Sequence, residues 1–99
     1  MARFDVYRNP EGDGYLVDLQ ANLLDHLNTR IVAPLLPVDR APKPAATLNP
    51  VLNMGSEQVV MLTQFMAAVP SQILKSPVAR IDSCRAEITA AVDLLFQGF

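Results

Sequence analysis

Polar and apolar residues alternate with period two over Arg3-Phe4-Asp5-Val6-Tyr7-Arg8, and again over Tyr15-Leu16-Val17-Asp18-Leu19-Gln20, where Tyr15, Val17 and Leu19 share a face. Both segments predict strands with one buried face. Asn9-Pro10-Glu11-Gly12-Asp13-Gly14 lies between them and is dense in residues that fix or tolerate turn dihedrals, so the pair predicts a hairpin. Ala21 to Thr29 mixes polar and apolar residues around Leu23-Leu24 and reads as a loop. The run Arg30-Ile31-Val32-Ala33-Pro34-Leu35-Leu36 predicts a third strand. Proline cannot donate to a ladder, so the amide position of Pro34 should face an edge, a bulge or a strand end. Between Pro37 and Pro50, Pro42-Lys43-Pro44 forbids helix and regular central strand alike, which predicts a mobile loop.

Val51-Leu52-Asn53-Met54 predicts a short strand, Gly55-Ser56-Glu57 a turn, and Gln58 to Met66 a long strand apolar on both faces. Such a strand sits centrally or at an interface. Val69-Pro70-Ser71 is expected to end it, with a helical turn at Gln72-Ile73-Leu74 before Pro77. Asp82 to Phe96 then reads as one amphipathic helix, with Asp82 as the capping residue. Its stripe of Ile81, Cys84, Ile88, Ala91, Val92 and Leu95 is expected to pack on the sheet. Phe96 lies about 90° from the stripe centre by helical geometry, and Asp93 and Gln97 lie on the opposite side. Gly98 frees the backbone for a helix-ending left-handed turn, leaving Phe99 to project. An apolar helix end of this kind is either buried in the fold or kept exposed to meet a partner. The pattern as a whole predicts one domain over residues 1–99, mainly β with one C-terminal α-helix.

Composition adds a reason to expect a partner. The chain is 51% hydrophobic and 18% charged, an apolar excess that an oligomer interface would account for. The formal net charge is -2 and the eight basic residues are scattered singly, which argues against binding by phosphate neutralisation. The lone cysteine, Cys84, has no disulfide partner and no second thiol for a metal site, and its place on the apolar stripe reads as a small core side chain. The lone histidine, His26, stands beside Asp25 in a loop, as a solvated ion pair or turn contact rather than a general base. There is no phosphate-cradling glycine loop, nucleophile elbow or zinc spacing, so neither an enzyme nor a cofactor or metal site is expected. No stretch approaches 18 apolar residues, and the expected location is the cytoplasm, away from membranes. Leu23 and Leu24 are neighbours in a short loop and cannot both point inward easily. With Phe96 and Phe99 they would make one apolar patch.

Six segments in order carry a resemblance: Phe4-Asp5-Val6-Tyr7; Val17-Asp18-Leu19-Gln20 with Leu23-Leu24-Asp25; Arg30 to Leu35; Leu48-Asn49-Pro50-Val51 with Met54-Gly55; Met66 to Pro70; and Leu95-Phe96-Gln97-Gly98-Phe99. Together they resemble a CcdB-type toxin over nearly the whole chain. The resemblance implies an SH3-like barrel with a C-terminal helix, the CcdB/MazF-like toxin fold, in a symmetric homodimer whose helix ends lie near the twofold axis. It implies a non-enzymatic toxin that inserts between the A subunits of DNA gyrase and traps the cleavage complex. A cognate antitoxin would neutralise it and join it in repressing the operon, with no direct nucleic-acid binding by the toxin alone. Carried over by position, the gyrase contacts are Leu23, Leu24, Asp93, Phe96, Gln97, Gly98 and Phe99. The family usually ends Trp-Gly-Ile; here Gln97 replaces the Trp and Phe99 the Ile, and Asp93 stands where a neutral amide is common. Two other readings stay open: a degenerate relative that binds antitoxin without poisoning gyrase, and an mRNA-cleaving toxin on the same fold.

Overall fold

The structure of the protein, a computed structural model, describes residues 2–98. Seven strands and one helix follow in chain order: β1 (Asp5–Arg8), β2 (Tyr15–Asp18), β3 (Thr29–Pro37), β4 (Val51–Met54), β5 (Glu57–Met61), β6 (Ala67–Pro70), β7 (Ala79–Arg80) and α1 (Arg85–Gln97). The strands form one antiparallel, nearly closed, barrel-like sheet in the order β4-β5-β3-β2-β1-β7, with β6 also paired to β3. This is the expected architecture, mainly β with a C-terminal helix.

Alternation along the strands feeds two clusters rather than one. Val6, Val17, Ala33, Leu35, Val59 and Met61 meet Ile81, Cys84, Ile88 and Ala91 in the main core. Tyr7, Leu16, Val32 and Leu74 form a smaller cluster with Val69 and Ile73. Neighbouring residues such as Val6 and Tyr7 thus serve opposite faces of one sheet. Each fully buried side chain of the Val, Leu or Ile class stabilises the fold by about 1.5–3 kcal/mol, so the main core holds the molecule together.

The predicted hairpin forms with Val6 opposite Val17, closed by a bond from the Asn9 amide to the Gly14 carbonyl at 3.1 Å. Gly14 has φ +80°, and a Cβ there would lie 2.2 Å from the Leu35 carbonyl oxygen, so both backbone angle and space demand glycine.

β3 organises the sheet. One side pairs with β2; the other pairs with β6 over Thr29 to Val32 and with β5 over Leu35 to Pro37. Pro34 stands in the gap between those two partners, where its carbonyl accepts from Leu62 at 2.9 Å. Its missing N–H therefore costs no ladder bond, as its placement at a break requires.

Four expectations need correction. The long strand over Gln58 to Met66 is broken: β5 ends at Met61, a 3-10 turn spans Thr63–Phe65, and β6 follows. Polar side chains make the break, because the buried Thr63 hydroxyl donates to the Leu48 carbonyl and Asn49 Nδ2 donates to the Met61 carbonyl and to Gln64 Oε1. Val69 and Pro70 continue a strand instead of ending one, and Pro70 is tolerated because β6 pairs on one side only. The helix starts at Arg85, after a 3-10 turn at Asp82–Cys84; Asp82 makes no capping bond and its carboxylate faces Arg80 Nε at 3.5 Å. Leu95 is exposed, so the buried stripe ends at Ala91 with Val92 half-buried. The two-residue β7 was not anticipated. The proline-rich segment opens with a 3-10 turn at Val38–Arg40 and is irregular around Pro42-Lys43-Pro44, as expected there, and its second half is pinned by bonds from Asn49 N to Ala45 O at 2.9 Å and from Ala45 N to Asn49 Oδ1 at 3.1 Å.

Candidate functional site

The loop from β2 to β3 and the end of α1 converge on one groove. Residues Asn22–Leu24 form a single 3-10 turn, closed by bonds from Leu24 N to Ala21 O and from Asp25 N to Asn22 O. A turn this short cannot bury two adjacent leucines. Leu23 is 86% exposed, whereas Leu24 leans into a groove of about 560 Å³. Ile31 of β3, Met66 before β6, Ala67 of β6, and Val92 and Phe96 of α1 also line it.

Helical periodicity explains the opposite wall. Ile88 and Ala91 are buried in the core, while Phe96, five residues on, swings out of the stripe to 69% exposure. The helix then stops at Gly98, whose φ of +80° lets its amide bond back to the Leu94 carbonyl at 3.0 Å. Leu24 and Phe96 are therefore brought together. Leu23 stands beside them in solvent, Asp93 is half-buried on α1, and Gln97 and Gly98 are exposed at the helix end. Phe99 lies outside the described residues.

The groove is apolar with a single charged residue, Arg3, among its described lining residues. Arg3 stacks its guanidinium 4.7 Å from the Phe4 ring centroid, with Arg85 of α1 at 5.0 Å on the same ring. Phe4 is fully buried at φ +74°, so this stack ties the first residues to the base of the helix. The Arg3 amide donates to Asn22 Oδ1 at 2.8 Å, joining the same residues to the loop.

Behind the loop lies a buried ion pair. Arg30 reaches Asp18 Oδ2 through Nη2 at 2.7 Å and Nε at 2.9 Å, with both side chains essentially inaccessible. Burial raises the Asp18 carboxyl above its ordinary range, opposed by the bonds from Arg30 and the Gln20 amide. Burial likewise raises the Tyr7 hydroxyl, with Asp5 and Asp18 adding to the effect and Arg30 opposing it.

Sequence reasoning missed Ile31, Met66 and Ala67 as groove residues. A signal existed in β3, because burying Arg30 forces Ile31 onto the outer face, opposite to what polarity alone suggests. His26 and Asp25 are exposed in the loop. No group of three or more His, Cys, Asp or Glu side chains placed to hold a metal occurs among the described residues.

The family model described as CcdB protein matches residues 3–98. The chain belongs to the CcdB family. The match takes in all seven strands, the helix and the whole lining of the groove, so the CcdB frame is the frame that presents Leu24 and Phe96. CcdB membership makes this a toxin of the toxin–antitoxin class. Among the described residues, no helix is long and apolar enough to cross a membrane.

Proposed function

We propose that this protein is the toxin of a type II toxin–antitoxin pair, which binds the A subunit of DNA gyrase in the cytoplasm and traps the gyrase–DNA cleavage complex until its cognate antitoxin neutralises it. The observation that carries the reading is the joining of Leu24 and Phe96 in one exposed apolar groove on a CcdB frame. Large apolar side chains left this open are covered by a partner or remain a liability, and aromatic anchors dominate such contacts. Leu23, Asp93, Gln97, Gly98 and Phe99, carried over by position from the resemblance, are proposed to complete the contact surface. Binding, not catalysis, is the mechanism: the protein wedges a conformational state of another enzyme, and needs no cofactor to do so.

We infer that a second copy of the chain packs on the β6 wall of the same groove. Ala67 and Ala68 of β6 and Ile31 of β3 are exposed along the groove, and among the described residues no strand pairs with the second edge of β6. Small residues there let two copies approach closely about a twofold axis near the helix ends. The net charge of -2 gives no footprint for DNA, so operon repression falls to the complex with antitoxin.

Titration of the purified protein with a gyrase A fragment, together with a DNA cleavage assay, tests the reading. Wild type is expected to bind and to accumulate covalent gyrase–DNA breaks. Phe96→Ala should weaken binding by about 30-fold, corresponding to ~2 kcal/mol, with an unchanged melting temperature because the ring is mostly exposed. Neither binding nor breaks with the cognate gyrase would sink the proposal. Gln97 favours one second reading, since its amide cannot supply the aromatic anchor of the usual Trp. Antitoxin binding without gyrase binding, with breaks restored by Gln97→Trp, would establish that degenerate form.

A further inference from the structure

We propose that Gln20 is a positioning residue for the partner surface: its side chain straps the Leu23-Leu24 loop to β3 and so sets Leu24 against the groove. The inference rests on the gyrase-binding reading above. Between Leu19, whose amide bonds to Ile31 O at 2.9 Å, and Asn28, whose carbonyl accepts from Ser71 at 2.9 Å, the loop's backbone bonds are local turns. Beyond Gln20 itself, residues 21–27 take two side-chain bonds among the described residues: the Arg3 amide donates to Asn22 Oδ1, and Gln20 Nε2 donates to the Leu24 carbonyl.

Gln20 is buried, and its carboxamide makes two bonds that no other side chain of its length can make together. Nε2 donates to the Leu24 carbonyl at 2.9 Å, and Oε1 accepts from the Ile31 amide at 3.1 Å. Those partners fix which end of the amide is which, because a carbonyl needs a donor and an N–H needs an acceptor. A carboxylate would face the Leu24 carbonyl with oxygen; Asn would fall short of one partner; Met would reach and bond to neither. Gln20 is itself held by the buried pair, its N–H donating to Asp18 Oδ1 at 3.0 Å and its carbonyl accepting from Arg30 Nη2 at 3.4 Å. Position thus passes from the Asp18–Arg30 pair to the Gln20 backbone, through its amide to the Leu24 carbonyl, and so to a side chain in the groove.

The test is a double-mutant cycle on gyrase A fragment binding, with Gln20→Met and Leu24→Ala singly and together, and amide hydrogen exchange followed in the free proteins. Gln20→Met is expected to weaken binding about tenfold and to speed exchange at Asp25 and Leu27, with little further loss on adding Leu24→Ala. Additive losses, or a lowered melting temperature with unchanged affinity and unchanged loop exchange, would overturn the inference and leave Gln20 a structural residue only. If wild type fails to bind gyrase A, the functional reading fails, and loop exchange alone decides whether Gln20 positions Leu24. Where Gln20→Met does not fold, Gln20→Glu carries the same measurements, since it keeps the acceptor facing Ile31 and loses the donor facing Leu24 at neutral pH.

Discussion

Arg30 occupies the inward phase of β3 and Ile31 the outward one. The inversion holds only because Asp18 supplies the counter-charge, and a buried charge left without its partner is costly. Arg30→Met is therefore expected to destabilise the fold by about 3–5 kcal/mol in urea denaturation, and the double change with Asp18→Asn to recover part of that loss. The pH dependence follows from the direction of the Asp18 shift. The native carboxyl holds its proton more tightly than the unfolded one, so its contribution to stability is full below the ordinary carboxylate range and is lost as pH rises through the higher native value. In Arg30→Met the window extends further upward, and stability should fall more steeply than in wild type as pH rises above the ordinary carboxylate range. Gly14 and Gly55 offer a contrast of a different kind. Both have positive φ, but only at Gly14 does a Cβ meet backbone. Gly14→Ala should cost about 2 kcal/mol more than Gly55→Ala by the same denaturation measurement.

At the scale of elements, the first helical residues matter less than the sequence suggests. Asp82 precedes a 3-10 turn and bonds no helix amide, while its ion pair with Arg80 is exposed. Asp82→Ala should change stability by less than about 0.5 kcal/mol, against ~1 kcal/mol for loss of a true cap; thermal unfolding distinguishes the two. The same distinction governs what could be read in advance. The hairpin, β3, β4 and the C-terminal helix were legible because period-two or helical patterns and turn residues agree locally. β6 was not, because it is separated from β5 by a turn that Thr63 and Asn49 build through contacts with Leu48, Met61 and Gln64. β7 is two residues long and exists only where Val6 and Asp5 offer it partners. At the site, Leu23, Leu24 and Phe96 were legible as side chains that could not all be buried. Ile31, Met66 and Ala67 were not, since their shared groove arises from the pairing of β3 with β6.

For the molecule as a whole, β3 is the shared member. β2, β5 and β6 all pair with it, so the first and second halves of the chain close on one strand and neither has a complete core alone. Native-state hydrogen exchange should therefore be slowest at Val32, Ala33, Leu35 and Leu36 and fastest in the loop of residues 21–28, whose side chains lie at the surface. Seen as dosage, this architecture separates quantity from quality. A core variant such as Ala33→Gly reduces how many intact molecules a cell contains but leaves each survivor fully armed, so stronger induction should restore growth arrest. Phe96→Ala leaves the number of molecules unchanged and weakens every one of them, so its growth curve should shift to about 30-fold higher toxin levels at an unchanged amount of soluble protein.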